Sequence, residues 1–249
     1  MTERSAVLEG EDVVARLNRY RAFDEVNAPY VRWQLEQFQP WIGSRVLEVG
    51  CGVGGILAQL GPRDFVMGID LEDDIVTYTR SRFNGGGNYR FATLDISRLS
   101  QLEVDELARL HFDTVVCFNV LEHVKDDAAA LTAIRQVLAP GGHAALLVPA
   151  HPSLYGRYDA MEGHFRRYTR KRLRDLVTNA GLEVEQIHSF NLAGALGWWV
   201  QYKLLRRQIH GQGHFRTLQA TLPVLRAVEK RVKPPIGLSL VCVARRLAG

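Results

Sequence analysis

The hydrophobic and polar positions of the chain alternate between short apolar runs and amphipathic stretches, as strands do when helices separate them. The candidate strands share an apolar run bounded by turn residues: Val46–Val49, Phe65–Asp70, Tyr89–Asp95, Phe112–Asn119, Ala144–Val148, Leu182–Phe190 and Gly237–Ala244. The first two runs are apolar at nearly every position, which predicts strands that are covered on both faces. The pattern therefore predicts an α/β protein with a mostly parallel sheet.

Helical spacing of apolar residues appears before, between and after these strands. Within residues 10–40 two stripes lie on either side of Pro29, so two N-terminal helices are predicted. Further helices are predicted over 73–83 and 170–180, the latter capped by Thr169 and ended by Gly181.

Residues 191–236 separate the last two strands. A structureless loop of this length is uncommon in a compact domain, so helices are predicted over 196–208 and 218–232. Around Trp198 this segment sets aromatic residues beside basic ones. An interfacial membrane helix has this pattern, but so does a lid over an active site, which we favour because the apolar stretch is short.

The glycine-rich stretch 46–55 joins the first strand to the apolar segment 56–60, which predicts a tight turn against a ligand and then the opening of a helix. Gly50, Gly52 and Gly55 fit the dinucleotide motif G-x-G-x-x-G. Asp70 follows at the distance of a ribose-binding acid. Taken alone, this pattern favours a nicotinamide or flavin enzyme.

The same stretch fits a second motif. Glu48, Gly50, Gly52 and Gly54 form an acid-x-Gly-x-Gly-x-Gly loop, which closely resembles that of the class I S-adenosylmethionine (SAM) methyltransferases. The glycines alone leave both cofactors open.

The downstream sequence favours SAM. The segment 112–123, with Val-Leu-Glu-His at its end, and the Leu-Ala-Pro-Gly-Gly segment 138–142 resemble the arrangement around strands four and five of these methyltransferases. The resemblance covers about residues 44–190, and segments 149–155 and 163–169 resemble a bacterial type 11/12 subgroup. It implies a doubly wound, Rossmann-like sheet of seven strands, with strand seven antiparallel and N-terminal helices. The helical insertion that we expect between strands six and seven departs from the short connection that is usual in this fold.

The resemblance also implies a single methyltransferase domain over residues 1–249. Within it we expect an N-terminal helical cap (1–41), a core (42–190 and 237–249) and a helical insertion or lid (191–236).

Each part of the cofactor receives residues from the resemblance. The implied cofactor-binding residues are Glu48, Gly50, Cys51, Gly52 and Gly54 for the methionine end, Asp70 and Leu71 for the ribose, Asp95 and Ile96 for the adenine, and Asn119 and Val120 through their backbone. Asp95 could alternatively act only as a helix cap.

Composition excludes several function classes. The net charge of +4 combines 14 basic and 21 acidic residues in 1–150 with 17 basic and 6 acidic residues in 151–249. The basic residues are dispersed through predicted helices and form no RNA-binding motif, so a nucleic-acid partner is not expected. Three widely spaced cysteines indicate neither a disulfide framework nor a zinc site, which fits a reducing cytoplasm. No apolar run has the length of a membrane span, although peripheral contact stays an unfavoured alternative.

Methyl transfer from a sulfonium needs alignment, and a base only where the acceptor carries a proton. His151 and His123 follow strands five and four and are the candidate catalytic residues, although each can instead orient its own segment. The candidate substrate-binding residues are Tyr20, Tyr155, His164, Arg166, Tyr168 and Trp198. No metal site is expected, because the acids beside Glu122 and His123 can serve a helix dipole.

The predicted activity is methylation of a small-molecule acceptor, possibly anionic or lipid-linked, with oxygen favoured over nitrogen or carbon. A SAM-binding protein that transfers no methyl group, such as a cyclase, and a dinucleotide-dependent oxidoreductase are the alternatives. The oligomeric state has no signature in the sequence.

Overall fold

The computed structural model describes residues 13–83, 87–200, 225–229, 231 and 233–248. Seven strands form one sheet: β1 Arg45–Val49, β2 Phe65–Asp70, β3 Tyr89–Thr93, β4 Phe112–Phe118, β5 Leu138–Pro149, β6 Glu183–Phe190 and β7 Ser239–Arg245. Their order is β3-β2-β1-β4-β5-β7-β6, and β7 is antiparallel to both of its neighbours. The predicted seven-stranded fold with an antiparallel last strand is confirmed.

The strand order reverses between β1 and β4. The chain moves outward from β1 to β3 and then returns to place β4 against the other side of β1. The carboxyl ends of β1 and β4 therefore lie side by side at a topological switch point. Ligands of doubly wound sheets bind in the crevice that opens there.

Besides a helical stretch at 225–229, the described residues form these α-helices: α1 Val13–Glu36, α2 Asp73–Arg82, α3 Gln101–Ala108, α4 Asp127–Val137, α5 Arg157–Met161, α6 Arg170–Asn179 and α7 Leu192–Trp198. One face of the sheet packs with α3, α4 and α6, and the other packs with α1. Because successive strand residues point to opposite faces, Leu47 joins the first core and Val46 the second.

The N-terminal region corrects a prediction. The structure has one helix, α1, where two were predicted on either side of Pro29. A proline inside a helix removes one backbone hydrogen bond, but the helix can continue where the residues after the proline are well packed. Trp33, four residues later, is buried against Phe190 with ring centroids 4.4 Å apart.

Two further predicted helices also differ from the structure. The helix expected after the glycine loop is only a 3₁₀ turn, Leu57–Gln59. In the insertion, α7 begins at Leu192, earlier than predicted, because Asn191 caps it by accepting from the Gly194 N–H at 2.7 Å. Residues 225–229 are helical, whereas 201–224 lie outside the described residues, so the division of the chain into cap, core and insertion stays a prediction.

His188 lies on β6 in a buried polar pocket between two elements. Its Nδ1 is 2.9 Å from the Gln186 amide nitrogen, and its Nε2 is 3.5 Å from the Gln37 side-chain oxygen. Burial lowers its pKa to about 4, with smaller contributions from the positive charges of Lys233 and Arg170.

This burial predicts a pH-dependent stability. An unfolded histidine titrates near pH 6.5, so between about pH 6.5 and 4 the unfolded chain binds the extra proton and is favoured. As the pH falls through this window, the free energy of unfolding should decrease, by at most about 3 kcal/mol from this residue. Urea denaturation at pH 7.5 and 4.5 should show a smaller loss for His188→Gln than for the wild type. His143→Gln, which changes a partly exposed imidazole, should behave like the wild type; equal losses in all three proteins would contradict the assignment.

Candidate active site

The glycine loop after β1 adopts a conformation that requires glycine. Gly50 and Gly54 have φ angles of 71° and 87°, in the left-handed region. A Cβ atom at Gly50 would lie 2.4 Å from the side chain of Val120, and one at Gly54 would lie 2.6 Å from the ring of Phe83. At Gly52, by contrast, a Cβ would meet no described atom within 4 Å. The loop is packed on one side and open on the other, as a ligand cradle is.

Neighbouring elements hold the loop in place. Asp70, at the end of β2, accepts a hydrogen bond from the Gly52 N–H at 2.9 Å. Thr79 of α2 donates to the Gly52 carbonyl at 2.7 Å, and Arg82 donates to the carbonyl of Val53. The first turn of the crevice is therefore rigid before any ligand binds.

Three carboxyl groups lie near this loop, those of Glu48, Asp24 and Asp70. Glu48 is 1% exposed, and its Oε2 has no hydrogen-bond partner among the described residues. Burial raises its pKa well above the usual range, and the nearby charges of Asp24 and Asp70 add to the shift. Asp24, on α1, interacts with the backbone of Gly55, and burial raises its pKa too. An acidic cradle of this kind favours a ligand with an amine or sulfonium cation.

The two acids predicted to bind ribose and adenine order the turns that follow their strands. Asp70 also accepts from the Leu71 N–H at 2.7 Å through its other oxygen. Asp95 accepts from the Ser97 N–H at 2.9 Å, and Ile96 is buried beside it. Each carboxylate oxygen keeps accepting capacity for a ligand hydroxyl or amine, so both roles stay predictions.

The other predicted cofactor residues line the same edge of the sheet. Asn119 directly follows β4 and has a φ of 54°, and its N–H donates to the Leu147 carbonyl at 2.8 Å. Val120 packs directly over the Gly50 backbone. Cys51 is buried, and burial raises the pKa of its thiol, so we assign it to packing under the loop. Leu71 is 65% exposed.

A buried acid that the sequence analysis missed organises the loop 155–168. Asp159 is fully buried and accepts from the Gly156 N–H at 2.9 Å and from Arg167 Nε at 2.8 Å. Its Oδ1 lies 3.0 Å from Nδ1 of His164. The Tyr155 hydroxyl donates to the His164 carbonyl at 2.7 Å. No motif or spacing marked Asp159, because its partners are assembled only by the fold.

Two predicted substrate residues have their polar groups engaged inside the protein. Tyr168 is fully buried, and its hydroxyl, which has one hydrogen to donate, lies 2.9 Å from a carboxylate oxygen of Asp127 and 3.1 Å from the Leu121 carbonyl. Arg166 forms an ion pair with Asp127 at 2.7 Å. Tyr168 therefore lies in the core rather than on a surface that a substrate contacts.

The remaining substrate candidates lie in two separate places. Tyr20 packs against the cluster that Leu17 forms with Val53 of the glycine loop. Trp198 donates to the Leu154 carbonyl at 3.2 Å, and the guanidinium of Arg167 lies 4.6 Å from its ring centroid. One candidate thus borders the cofactor loop, and the other borders the loop after β5.

His151 occupies a strained position at the end of β5. Its φ is 60°, a region that costs a side-chain-bearing residue about 1–2 kcal/mol and persists where the surroundings enforce it. Its backbone N–H donates to Tyr168 at 3.0 Å, and its Nε2 is buried with no hydrogen-bond partner in the described part of the chain. Burial lowers the pKa of the imidazole, as do the charges of Arg167 and Arg170.

His123 lies in a 3₁₀ turn, Leu121–His123, that directly follows the crevice. Its ring meets that of His164 edge-on, with centroids 4.5 Å apart. Glu122 is 1% exposed, and burial raises its pKa to about 8. One ligating atom from each of these three residues lies within 4.8 Å of the other two. The sequence alone predicts no metal site at these residues.

The fold and the acidic glycine loop at its switch point define a SAM-dependent methyltransferase of class I. The chain belongs to the methyltransferase domain family, whose family model matches residues 13–187. The predicted class and cofactor are thereby confirmed, and the alternative that the glycines left open, a dinucleotide enzyme, is not supported.

Curated relatives match only part of the chain. It is 33% identical to the ubiquinone biosynthesis O-methyltransferase of Thiobacillus denitrificans over 130 residues, which are 50% of this chain and 52% of the relative. The enzyme of the same name from Paracidovorax citrulli is 35% identical over 50% of this chain and 51% of its own. The chain therefore spans about half the length of these curated relatives.

Solved structures share the fold at low sequence identity. A putative methyltransferase from Haloferax volcanii, solved in complex with the Trm112 methyltransferase activator, has a TM-score of 0.61 at 17% identity, covering 96% of this chain and 99% of its own. The SAM-dependent methyltransferase of Mesorhizobium loti has a TM-score of 0.57 at 19% identity, with coverages of 89% and 98%. Within the described residues no helix is both long and apolar enough to span a bilayer.

The burial of Tyr168 predicts a stability role that is separable from ligand binding. Tyr168→Phe removes a buried hydroxyl that donates to a carboxylate, and should lower the free energy of unfolding by about 2 kcal/mol. SAM affinity, measured by calorimetry, should not change. The control Tyr155→Phe removes a bond to an ordinary carbonyl and should cost less stability. Unchanged stability with altered ligand binding would return Tyr168 to the substrate site.

Proposed function

We propose that this protein transfers the methyl group of SAM to a small-molecule acceptor, with oxygen as the favoured acceptor atom. The observation that carries the proposal is the buried carboxyl group of Glu48, two residues before the loop, whose Oε2 has no hydrogen-bond partner among the described residues. That carboxylate is suited to the α-amino group of SAM. The preference for oxygen draws on the O-methyltransferase relatives at 33% and 35% identity.

Within this proposal the cofactor residues divide the work. Glu48 and the loop backbone at Gly52 hold the methionine end, Asp70 accepts from the ribose hydroxyls, and Asp95 accepts from the adenine amino group with Ile96 against the ring. Bound SAM supplies an activated methyl group on a sulfonium. The chain's own task is then to align the acceptor in line with that methyl group and to exclude water.

His151 is the proposed general base. Burial and two nearby arginines lower its pKa, so the imidazole is neutral and able to accept a proton at physiological pH. A strained backbone at such a position fits a functional rather than a packing constraint. His123, the other catalytic candidate, lies in edge-on contact with the ring of His164.

The acceptor is proposed to have an apolar part, which includes lipid-linked molecules. Leu196, Trp199 and Val200 on and after α7 are exposed by 59%, 50% and 38%, in the segment predicted to form a lid. An anionic acceptor draws less support, because Arg166 already pairs with Asp127. The three cysteines are buried free thiols, and on that basis we also propose a cytoplasmic location.

The cofactor assignment predicts a charge-dependent affinity. Glu48→Gln keeps the side-chain shape but removes the negative charge, so SAM should bind at least tenfold more weakly in calorimetric titrations. Glu106→Gln, an exposed position on α3, should bind as the wild type does. S-adenosylhomocysteine should bind the wild type and NADPH should not. Equal SAM affinity in all three proteins would refute the role given to Glu48.

The need for His151 as a general base should depend on whether the acceptor has a proton to lose. With phenols as acceptors, formation of S-adenosylhomocysteine should fall by about 10²–10⁴-fold in His151→Gln, because the imidazole no longer takes the proton. The residual rate should rise with pH as the acceptor ionises by itself. SAM binding without turnover of any phenol, amine or carbon acid would instead favour the non-methylating alternative.

A further inference from the structure

We propose that Glu122, His123 and His164 form a divalent-cation site beside the cofactor loop, with the composition that zinc prefers. Two imidazoles and one carboxylate are the donor set of many catalytic zinc sites, which leave a fourth position open. The three residues come from two segments that are distant in sequence, the turn after β4 and the loop before Tyr168.

The geometry of the donors is close to what such an ion needs. One ligating atom of each residue lies within 4.8 Å of the others. Ligand atoms about 2.1 Å from a tetrahedral ion are about 3.4 Å apart, so the site has to contract by roughly an ångström. Small rotations of the two imidazole rings, already in contact at 4.5 Å, can supply that contraction.

A second observation points to a ligand in the same place. The Oε2 atom of Glu122 is buried and has no hydrogen-bond partner among the residues described, although the whole residue is only 1% exposed. A buried carboxylate oxygen without a partner is costly unless something binds it. A cation held with the two histidines would satisfy it.

The surroundings of His164 match those of a metal ligand. Its Nδ1 is 3.0 Å from Asp159, so this nitrogen carries the proton and donates, and Nε2 is left to accept a cation. Histidine ligands commonly donate their other N–H to a carboxylate, which fixes the ring and increases its basicity. Asp159 is itself fixed by Arg167 at 2.8 Å and by the Gly156 N–H at 2.9 Å.

The position of the site suggests its use. Val120, which packs over Gly50, precedes Glu122 by two residues, so the cation would lie at the rim of the cofactor loop. Its open position would take an oxygen of the acceptor and lower that oxygen's pKa, as a bound cation does for water. This use rests on the proposed methylation, whereas cation binding does not.

The test therefore measures binding of the ion itself. Protein freed of metal by a chelator is titrated with Co²⁺, read by its visible absorption, and then with Zn²⁺ as competitor. We expect one Co²⁺ per chain, displaced by one Zn²⁺. His164→Ala and Glu122→Gln should each weaken binding by at least tenfold. His143→Ala, which removes a histidine outside the three-residue cluster, should bind as the wild type does.

Calorimetry with SAM on the same samples separates the possible failures. SAM binding with no Co²⁺ binding in the wild type, or equal Co²⁺ affinity in all variants, overturns the cation site and leaves the methyltransferase assignment intact. Co²⁺ binding without SAM binding does the reverse. If Glu122→Gln does not fold, as judged by its melting temperature, His123→Gln takes its place.

Discussion

The arrangement of the crevice depends on one constraint, the tight turn that follows β1. This turn keeps the buried carboxyl group of Glu48 within two residues of the glycine loop. Glu48 lies within β1, and two residues later the loop adopts left-handed angles. Asp70, Thr79 and Arg82 all form hydrogen bonds with the backbone of this loop. The neighbouring elements thus hold one turn in place, and that turn follows a carboxyl group that is buried away from water.

The same logic recurs on the other side of the switch point. Glu122 follows β4 much as the glycine loop follows β1, and it too is buried without a complete set of hydrogen bonds. Buried charges that lack partners are rare in proteins and concentrate where ligands bind. In the part of the chain that the structure describes, Glu48 and Glu122 each have one carboxyl oxygen without a hydrogen-bond partner. These oxygens mark two positions at the same end of the sheet, one that suits an organic cation and one that suits an inorganic one.

Sequence reasoning predicts those parts of the structure that depend on local pattern. The strands follow from apolar runs, the α6 cap follows from Thr169, and the glycine loop follows from its motif. It fails where distant packing decides the outcome: Pro29 lies within a continuous helix because Trp33 and its neighbours are well buried. Asp159 and Asp24 escaped notice for the same reason, since each gains its meaning from residues brought next to it by the fold. Tyr168, a predicted substrate residue, is buried with its hydroxyl near Asp127, because a sequence motif does not show which way a side chain points.

The junction between β6 and β7 has a consequence for how this scaffold can change. Phe190 pairs with Ser239 across the sheet, and the Leu238 N–H donates to the Asn191 carbonyl at 2.9 Å, so the intervening segment leaves and re-enters at one point. Glu229 accepts from the backbone N–H groups of Asn191 and Leu192 and fastens the returning chain there. Because the entropy cost of closing a loop grows only slowly with its length, we expect a change in the length of this segment that keeps Glu229 to leave the pairing of β6 with β7 in place. A change of acceptor could thus arise in the segment between β6 and β7 alone, while the residues that hold the cofactor stay the same.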